Sequence, residues 1–178
     1  MACMKNRGMG IAHPKLRGEW VELNFMMRAL ELGLHLNKPW GEVVPYDFAI
    51  EHEGAFARVQ VKSTMFVDRG GYSCTVRGAD GPYEGDPFDY LAAYIFQEEM
   101  WYIIPAELVV GQGSIALYPR YRRSKYREYK EAWHLLRSAP RGERAVIDRI
   151  EASAETTPSE GWSLWDWLLG LWWRPREV

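Results

Sequence analysis

The sequence predicts an α/β fold in which a mixed central sheet lies between layers of helices. Three observations lead to this prediction. Apolar residues recur at helical spacing from Pro14 to Leu34, short apolar runs separated by turn residues fill residues 46–118, and helical spacing returns from Arg122 to Arg137. A β-rich middle between helical ends buries its apolar faces in a three-layer arrangement. With 178 residues, 47% of them apolar, the chain can build one such core.

The first predicted element is an amphipathic helix that begins at Pro14, after a loosely ordered lead of residues 1–13. Proline suits the first turn of a helix, and Gly33 lies near the far end. Glu22 is expected on the flank of the apolar stripe, from which it can reach over the edge of the sheet. The residues predicted to form the buried stripe recur at three- and four-residue steps: Leu16, Trp20, Leu23, Met27, Leu30 and Leu34.

The middle of the chain is predicted to be a series of short strands. Two of them form a hairpin around a turn at Glu53-Gly54, and Gly70-Gly71 introduces a third. A turn-rich stretch from Gly78 to Pro87 separates these from the later strands. The predicted strands cover residues 46–51, 56–64, 72–77, 90–97, 101–104 and 115–118.

The C-terminal part is predicted to add further helices and a tail. Residues 122–137 and 143–152 have helical periodicity, which completes a folded domain of residues 14–152. Residues 153–161 have the composition of a linker. The tail, residues 162–178, carries tryptophans and leucines in nearly all helical directions, so it must be covered. Packing on its own domain or on a second subunit is favoured. A membrane-interface anchor is the next alternative, although the segment is too short to span a bilayer, and a wedge inserted into a duplex is the least favoured.

The hairpin carries an unusual set of polar residues. Side chains alternate between the two faces of a strand, so Gln60 and Lys62 point one way while Val59 and Val61 point the other. A polar pair on an otherwise apolar strand has to be hydrogen-bonded, ion-paired or metal-linked. With Asp47 on the neighbouring strand, three polar groups converge at one sheet edge. The pattern therefore indicates a metal site with an ammonium beside it.

This segment resembles the PD-(D/E)xK nuclease superfamily, whose motif is an acidic residue, a hairpin, and then Glu or Gln, any residue, and Lys. The chain is most similar to the small endonuclease families that include Holliday-junction resolvases and intron-encoded homing endonucleases. Their upstream helix carries a Gly, three residues and a Glu, as Gly18 to Glu22 do here. Residues 83–90 and 101–105 resemble the stretches that close the core sheet. The resemblance covers roughly residues 13–118 and implies a restriction-endonuclease-like three-layer core.

The resemblance implies a Mg²⁺-dependent DNA endonuclease, with Mn²⁺ as a substitute, that leaves a 5′-phosphate. Asp47 would be the principal metal ligand, with the Gln60 amide oxygen, the Val61 carbonyl and Glu22 completing the set. These hard oxygen donors suit Mg²⁺, which lowers the pKa of a bound water and neutralises charge at phosphorus. Lys62 would orient or deprotonate the attacking water, or stabilise the charge that develops on phosphate; the second role is favoured.

The chain departs from the family pattern at two places. Gln60 replaces the commoner Glu, which removes one negative charge from the site, and Asp47 follows Pro45-Tyr46 where the family usually has Pro-Asp. Two alternatives therefore stay open. Lys62 and Asp47 form a surface salt bridge, or the chain is a catalytically inactive module on a nuclease-like fold that binds nucleic acid or serves in assembly. Asp86 and Asp89 are further carboxylates near the metal site, and Asp89 suits a strand start better than a ligand role.

A second candidate surface is basic. The net charge of −2 gives no overall attraction to nucleic acid, so DNA binding requires a local patch. Tyrosines interleave one basic run, which suits contacts with phosphates and bases but equally suits an amphipathic helix with solvated cations. Lys38, Arg58 and Arg69 could extend this patch. The candidate nucleic-acid-binding residues are Arg120, Arg122, Arg123, Lys125, Arg127 and Lys130.

Other features narrow the class of protein. The four histidines form no pair at metal-binding spacing, and there is no Ser-His-Asp or Cys-His arrangement, so zinc and covalent catalysis have no support. Cys3 and Cys74 lie far apart, without the density of a secreted disulfide scaffold, and no leader or membrane span is recognised. We expect a cytoplasmic protein whose partner is DNA. Cutting two strands with one site per chain implies a homo-oligomer.

Overall fold

The computed structural model describes residues 10–41 and 43–137, which fold around a five-stranded mixed sheet. The strands of this sheet are β1 (His35–Asn37), β2 (Phe48–His52), β3 (Ala55–Thr64), β6 (Tyr90–Ile95) and β7 (Met100–Pro105). Their order is β1-β2-β3-β6-β7; β3 pairs parallel to β6, and the other neighbours are antiparallel. The predicted mixed α/β fold class is confirmed.

The predicted hairpin is confirmed, and its turn explains the register. Glu53 and Gly54 have φ of 52° and 82°, the left-handed conformation that a two-residue type I′ hairpin turn requires at both positions. His52 therefore pairs with Ala55, and Phe48 pairs with Val59. Asp47, one residue before β2, continues the ladder through its N–H, which donates to the Val59 carbonyl at 2.9 Å. The turn thus determines which part of β3 lies beside Asp47.

One helix, α1 (Pro14–Glu31), packs on the first face of the sheet. Phe25 is fully buried and stacks on Phe48 of β2 and on Trp133. Val59 and Val61 of β3 belong to the same apolar cluster. This layer therefore covers the valine face of β3 and leaves the Gln60 face to the other side.

A second, three-stranded sheet belongs to the other layer. It consists of β4 (Val67–Asp68), β5 (Gly71–Thr75) and β8 (Ser114–Leu117), in the order β4-β5-β8. Cys74, Ile115 and Leu117 pack with Leu91 of β6 and Ile104 of β7 in a second apolar cluster. This cluster includes the residues of β6 and β7 that point away from α1, so both faces of the central sheet are covered.

The buried stripe predicted for α1 is wrong. Leu16, Leu23, Met27 and Leu30 are exposed, and the helix instead buries Val21, Phe25 and Ala29 on its opposite face. The sequence carries two apolar stripes, and the exposed one has the larger aliphatic side chains. Of the predicted stripe, Trp20 packs partly against the core, and Leu34 is buried after the helix has ended.

The α-helix predicted for residues 122–137 is also wrong. The segment consists of turns and two short 3-10 helices, Arg127–Tyr129 and Trp133–Arg137. The N–H of Glu131 donates to the Trp101 carbonyl at 2.9 Å, and the Glu131 carboxylate accepts from the Trp101 N–H at 2.7 Å. These contacts attach the segment to β7, which is an edge strand, so tertiary pairing overrides helical periodicity here.

Several predictions concern residues outside the described part of the chain: most of the lead at residues 1–13, the helix at 143–152, the linker at 153–161 and the tail at 162–178. Within the described part, no helix combines the length and the hydropathy that crossing a bilayer requires.

Candidate active site

The structure brings Asp47, Gln60 and Val61 together at the start of β2. The Asp47 Oδ2 atom accepts a hydrogen bond from Gln60 Nε2 at 2.6 Å and another from the Val61 N–H at 2.7 Å. Gln60 Nε2 also donates to the Val61 carbonyl at 3.2 Å. A carboxylate, a carboxamide and a main-chain carbonyl therefore share one small volume. The hairpin register places them there, because it sets Asp47 beside Val59.

Lys62 lies on the same face of β3 as Gln60, as the alternation predicts. Its Nζ atom is 5.6 Å from the centre of the Tyr83 ring, a distance at which an ammonium is attracted to the ring face. The positive charge of Lys62 also lowers the pKa of Asp47. The ammonium is thus close enough to act on the carboxylate although no direct ion pair joins them. The alternative of a simple salt bridge between Lys62 and Asp47 does not describe this arrangement.

Glu22 approaches the site from α1. Its Oε2 atom lies 2.7 Å from Lys38 Nζ, and the Lys38 ammonium lies 5.5 Å from the centre of the Phe48 ring. The charge on Glu22 raises the pKa of Asp47, whereas the charge on Lys38 lowers it. The charges of Glu22 and Asp47 therefore repel one another, and Lys38 is the counterion of Glu22.

Burial dominates the electrostatics of Asp47. The pKa of its carboxyl is raised to about 6, chiefly by loss of solvation and to a smaller extent by the charge on Glu22. The Val61 N–H, Lys62 and Lys38 act in the opposite direction without cancelling it. The hydrogen bonds and positive charges around Asp47 therefore do not make up for the solvation that its ionised carboxylate loses on burial. A bound cation would stabilise the ionised form.

The donor set fits a hard divalent cation. Two carboxylates, a carboxamide oxygen and a main-chain carbonyl offer oxygen atoms, which Mg²⁺ and Mn²⁺ prefer. Among the described residues no group of three or more His, Cys, Asp and Glu side chains could hold a metal ion.

A cleft of about 830 Å³ opens beside Gln60. One wall is the segment before Asp47, with Val43, Val44 and Pro45, and the other is the turn-rich loop of residues 78–87. Gln60 lines this cleft, whereas the other residues of the candidate site, Asp47, Val61, Lys62 and Glu22, are not among its lining residues. The cleft therefore meets the site on its Gln60 side.

Arg58 ties the loop to the strand that carries the site. Its guanidinium donates to both oxygens of Asp89, at 3.0 Å each, and its Nη2 atom lies 2.7 Å from Asp86 Oδ1. The N–H of Arg58 donates to Asp89 as well, at 2.7 Å. Asp86 and Asp89, considered above as carboxylates near the metal site, are therefore bound to an arginine. Asp89 immediately precedes β6, the strand-start position favoured for it.

Lys38 and Arg58 were interpreted from sequence only as possible additions to a basic patch. Both instead form ion pairs at the site, with Glu22 and with Asp89. For Arg58 one signal was available, since it stands two residues before Gln60 and so shares its face of the strand. For Lys38 the sequence offered no such signal, because a loop determines its position.

The basic run of residues 120–130 divides between two environments. Arg123 and Lys125 line a second cleft of about 610 Å³, where Arg69 and the tyrosines Tyr118 and Tyr121 join them. Arg120 forms an ion pair with Glu98 at 3.1 Å. The remaining candidates, Arg122, Arg127 and Lys130, are not among the residues that line this cleft.

Comparison with known proteins agrees with this geometry. A family model described as PD-(D/E)XK endonuclease matches residues 12–136. Among solved structures, the chain is similar to a bacterial homing endonuclease, I-Ssp6803I, with 30% sequence identity and a TM-score of 0.64. That similarity covers 76% of this chain and 99% of the other. No curated protein matches the chain.

Proposed function

The chain belongs to the PD-(D/E)XK endonuclease family, and from this premise we propose that it hydrolyses DNA phosphodiester bonds at the site formed by Asp47, Gln60 and Lys62. The observation that carries the proposal is the convergence of the Asp47 carboxylate with Gln60 and the Val61 carbonyl, with the Lys62 ammonium on the same strand face. The proposed cofactor is Mg²⁺, with Mn²⁺ as a substitute.

Four groups of this chain would hold the ion. Asp47 offers its carboxylate, Val61 its carbonyl, and Glu22 its carboxylate from the side of α1. Gln60 offers its amide oxygen, because the two ends of a carboxamide exchange places when the group turns over. When bound, the ion supplies Lewis acidity and neutralises negative charge on the phosphate.

Lys62 is assigned the role of a cation. An ammonium in a partly dehydrated site stabilises the charge that builds on a phosphate as water attacks it. The attraction between its ammonium and the Tyr83 ring favours one position of the side chain. The positive charge would therefore already lie beside the site before a phosphate binds. Asp47 and Gln60 would serve as ligands of the ion.

DNA is proposed as the substrate, on the basis of the family and of the similar homing endonuclease. The cleft beside Gln60 would admit the scissile phosphate, and the cleft with Arg69, Arg123 and Lys125 would contact the backbone elsewhere. Because one chain has one such site, cutting both strands requires two copies.

A cleavage assay tests the proposal. Purified protein is incubated with plasmid, branched and single-stranded DNA in Mg²⁺ or Mn²⁺, with chelator as the blank. We expect cleavage that chelator abolishes, and a loss of at least about a hundredfold in Lys62→Ala, since removing one group that stabilises a transition state costs that much. Arg28→Ala is the matched control, because it removes an exposed cation that pairs with Glu31.

Two results would count against the proposal. Cleavage that survives Lys62→Ala would contradict the assigned mechanism. Tight binding of DNA with no cutting of any substrate, in either metal, would instead support the inactive nucleic-acid-binding module.

A further inference from the structure

Helix α1 has apolar side chains on two opposite faces. One face, with Val21, Phe25 and Ala29, is buried against the sheet. The other is exposed to solvent, and its side chains form what we call the α1 stripe. The members of the stripe and their exposed fractions are Leu16 at 54%, Leu23 at 58%, Met27 at 62% and Leu30 at 61%.

The α1 stripe is narrow and continuous. At about 100° per residue, its four members fall within about 60° of one another and lie on the side of the helix opposite Phe25. From Leu16 to Leu30 the stripe runs about 21 Å, at about 1.5 Å per residue. Monomeric proteins rarely leave such a contiguous apolar surface in water, so the stripe has the properties of a contact surface.

The spacing of the stripe is complementary to itself. If two copies of α1 lie antiparallel across a two-fold axis near Leu23, Leu16 of one copy lies against Leu30 of the other. Met27 then lies level with Glu19 of the other copy and one residue from Trp20, which is only partly buried in its own core. Such a pair brings apolar side chains together at the axis and at both ends of the stripe, as a two-fold interface requires.

The charges beside the stripe are complementary in the same arrangement. Arg17 and Glu31 lie on the same flank of the helix, and their separation of 14 residues equals that of Leu16 and Leu30. Antiparallel pairing therefore places each Arg17 within one helical turn of the Glu31 of the other copy, a carboxylate that also pairs with Arg28 of its own helix at 2.9 Å. Glu22 lies on a different side of the helix, about 120° from Leu16, and stays free to face Asp47.

We propose that the α1 stripe binds the α1 stripe of a second copy of this chain, antiparallel and across a two-fold axis near Leu23. The reason for two copies rests on the proposed function, in which each copy cuts one strand. The contact itself depends on neither DNA nor a metal ion, so it is tested separately from catalysis.

Cysteine cross-linking tests the register. In a Cys3→Ser background, which leaves Cys74 buried, Leu23→Cys is oxidised without DNA and without metal. Packed helix axes about 8–10 Å apart, with Cα atoms at a radius of about 2.3 Å, place two facing Cα atoms within disulfide range. We expect a covalent dimer from Leu23→Cys. Arg28→Cys, on another side of the same helix, is the control and should stay monomeric.

A mixture of two cysteine variants tests the same register at the ends of the stripe. Leu16→Cys and Leu30→Cys should cross-link when mixed and not when oxidised alone, because each faces the other only across the axis. In parallel, light scattering should give the mass of a dimer for the unaltered chain and of a monomer for Leu23→Glu. Circular dichroism confirms that the variant is folded.

Several outcomes would overturn this inference. They are a monomeric mass at all concentrations, cross-linking of Leu23→Cys no faster than that of Arg28→Cys, or a dimer that persists in Leu23→Glu. A stripe shielded from thiol reagents in a monomer would mean that another segment covers it. A chain that pairs as described but cuts no DNA would refute the proposed function alone.

Discussion

Asp47 shows how one buried carboxylate links folding to the binding of a cation. It accepts two hydrogen bonds, from Gln60 and Val61, yet burial still raises its pKa to about 6. The free protein therefore holds a carboxylate that is costly to ionise at neutral pH. A cation that binds there restores the missing charge, so metal binding should also stabilise the fold.

The pH dependence of stability follows from that pKa. Between the ordinary value of 3.8 and the raised value of about 6, the folded protein holds a proton that the unfolded chain has released. Without metal, the free energy of unfolding therefore falls as pH rises through this window and is level above it. Asp47→Asn removes this dependence and should make the metal-free protein more stable at pH 7 by roughly 2 to 3 kcal/mol.

Thermal unfolding in chelator at pH 4 and at pH 7 measures the effect. The two proteins should have similar stability at the lower pH and differ at the higher one. Asp68→Asn, an exposed aspartate, is the control for the loss of one negative charge and should show no such difference. Equal stability of Asp47→Asn and the unaltered chain at pH 7 would contradict the assignment.

The residues of the site differed in how far sequence could predict their surroundings. The shared face of Gln60 and Lys62 follows from the two-residue period of a strand, and the position of Asp47 follows from the hairpin turn. The ion pairs of Lys38 and Arg58 depend on where two loops return to the sheet, and nothing in a local pattern determines that.

At the scale of elements, α1 shows why an apolar period alone did not identify the buried face. The sequence contains two apolar stripes on opposite sides of the helix, and the exposed one is richer in large aliphatic residues. Phe25 determines the outcome, because it fills the space between Phe48, Trp101 and Trp133. The packing of these rings depends on residues that lie far apart in the sequence, so a periodic pattern within α1 does not predict it.

Two glycines should respond to alanine in opposite ways. At Gly71 in β5, a Cβ atom would lie 2.5 Å from Cδ1 of Tyr118 and 2.7 Å from the Leu117 carbonyl oxygen, which belongs to the paired strand β8. Gly71→Ala should therefore lower the free energy of unfolding by about 1–3 kcal/mol. At Gly18 in α1 nothing lies within 4 Å, and Gly18→Ala should raise stability by about 0.5–1 kcal/mol.

Urea unfolding of both variants checks the prediction. A shift of both midpoints in the same direction would contradict it. Since Gly18→Ala should be well folded, any loss of cleavage in this variant would report on the approach of the substrate to α1.

At the scale of the whole molecule, pairing and catalysis together predict how a plasmid is cut. If each copy cuts one strand, supercoiled plasmid should become linear with little nicked circle at concentrations where the chain is paired. Mixing the unaltered chain with excess Lys62→Ala should produce nicked circle instead, because most active copies then have an inactive partner.

A gel time course that separates the three forms of the plasmid measures this, with Lys62→Ala alone as the blank. Linear product at an unchanged rate in the mixture would show that one copy cuts both strands.

Helix α1 and six of the eight strands through β8 could be predicted from the sequence, because turn residues and apolar runs mark them clearly. The short strands β1 and β4 were not predicted, since two or three residues are too few to show an alternating pattern. The parallel pairing of β3 with β6 could not be predicted, since 25 residues separate Thr64 from Tyr90 and include two strands of the second sheet. The turns of residues 122–137 also escaped prediction, because their structure depends on contacts with β7.

The strand that carries Gln60 and Lys62 is the middle one of five; it pairs with β2 as far as Val59 and with β6 from Val59 to Thr64. A strand held in this way cannot travel toward a phosphate, so the duplex has to bring the phosphate to it. How readily a given stretch of DNA bends or opens would then contribute to the choice of cutting position, even at base pairs that no side chain touches.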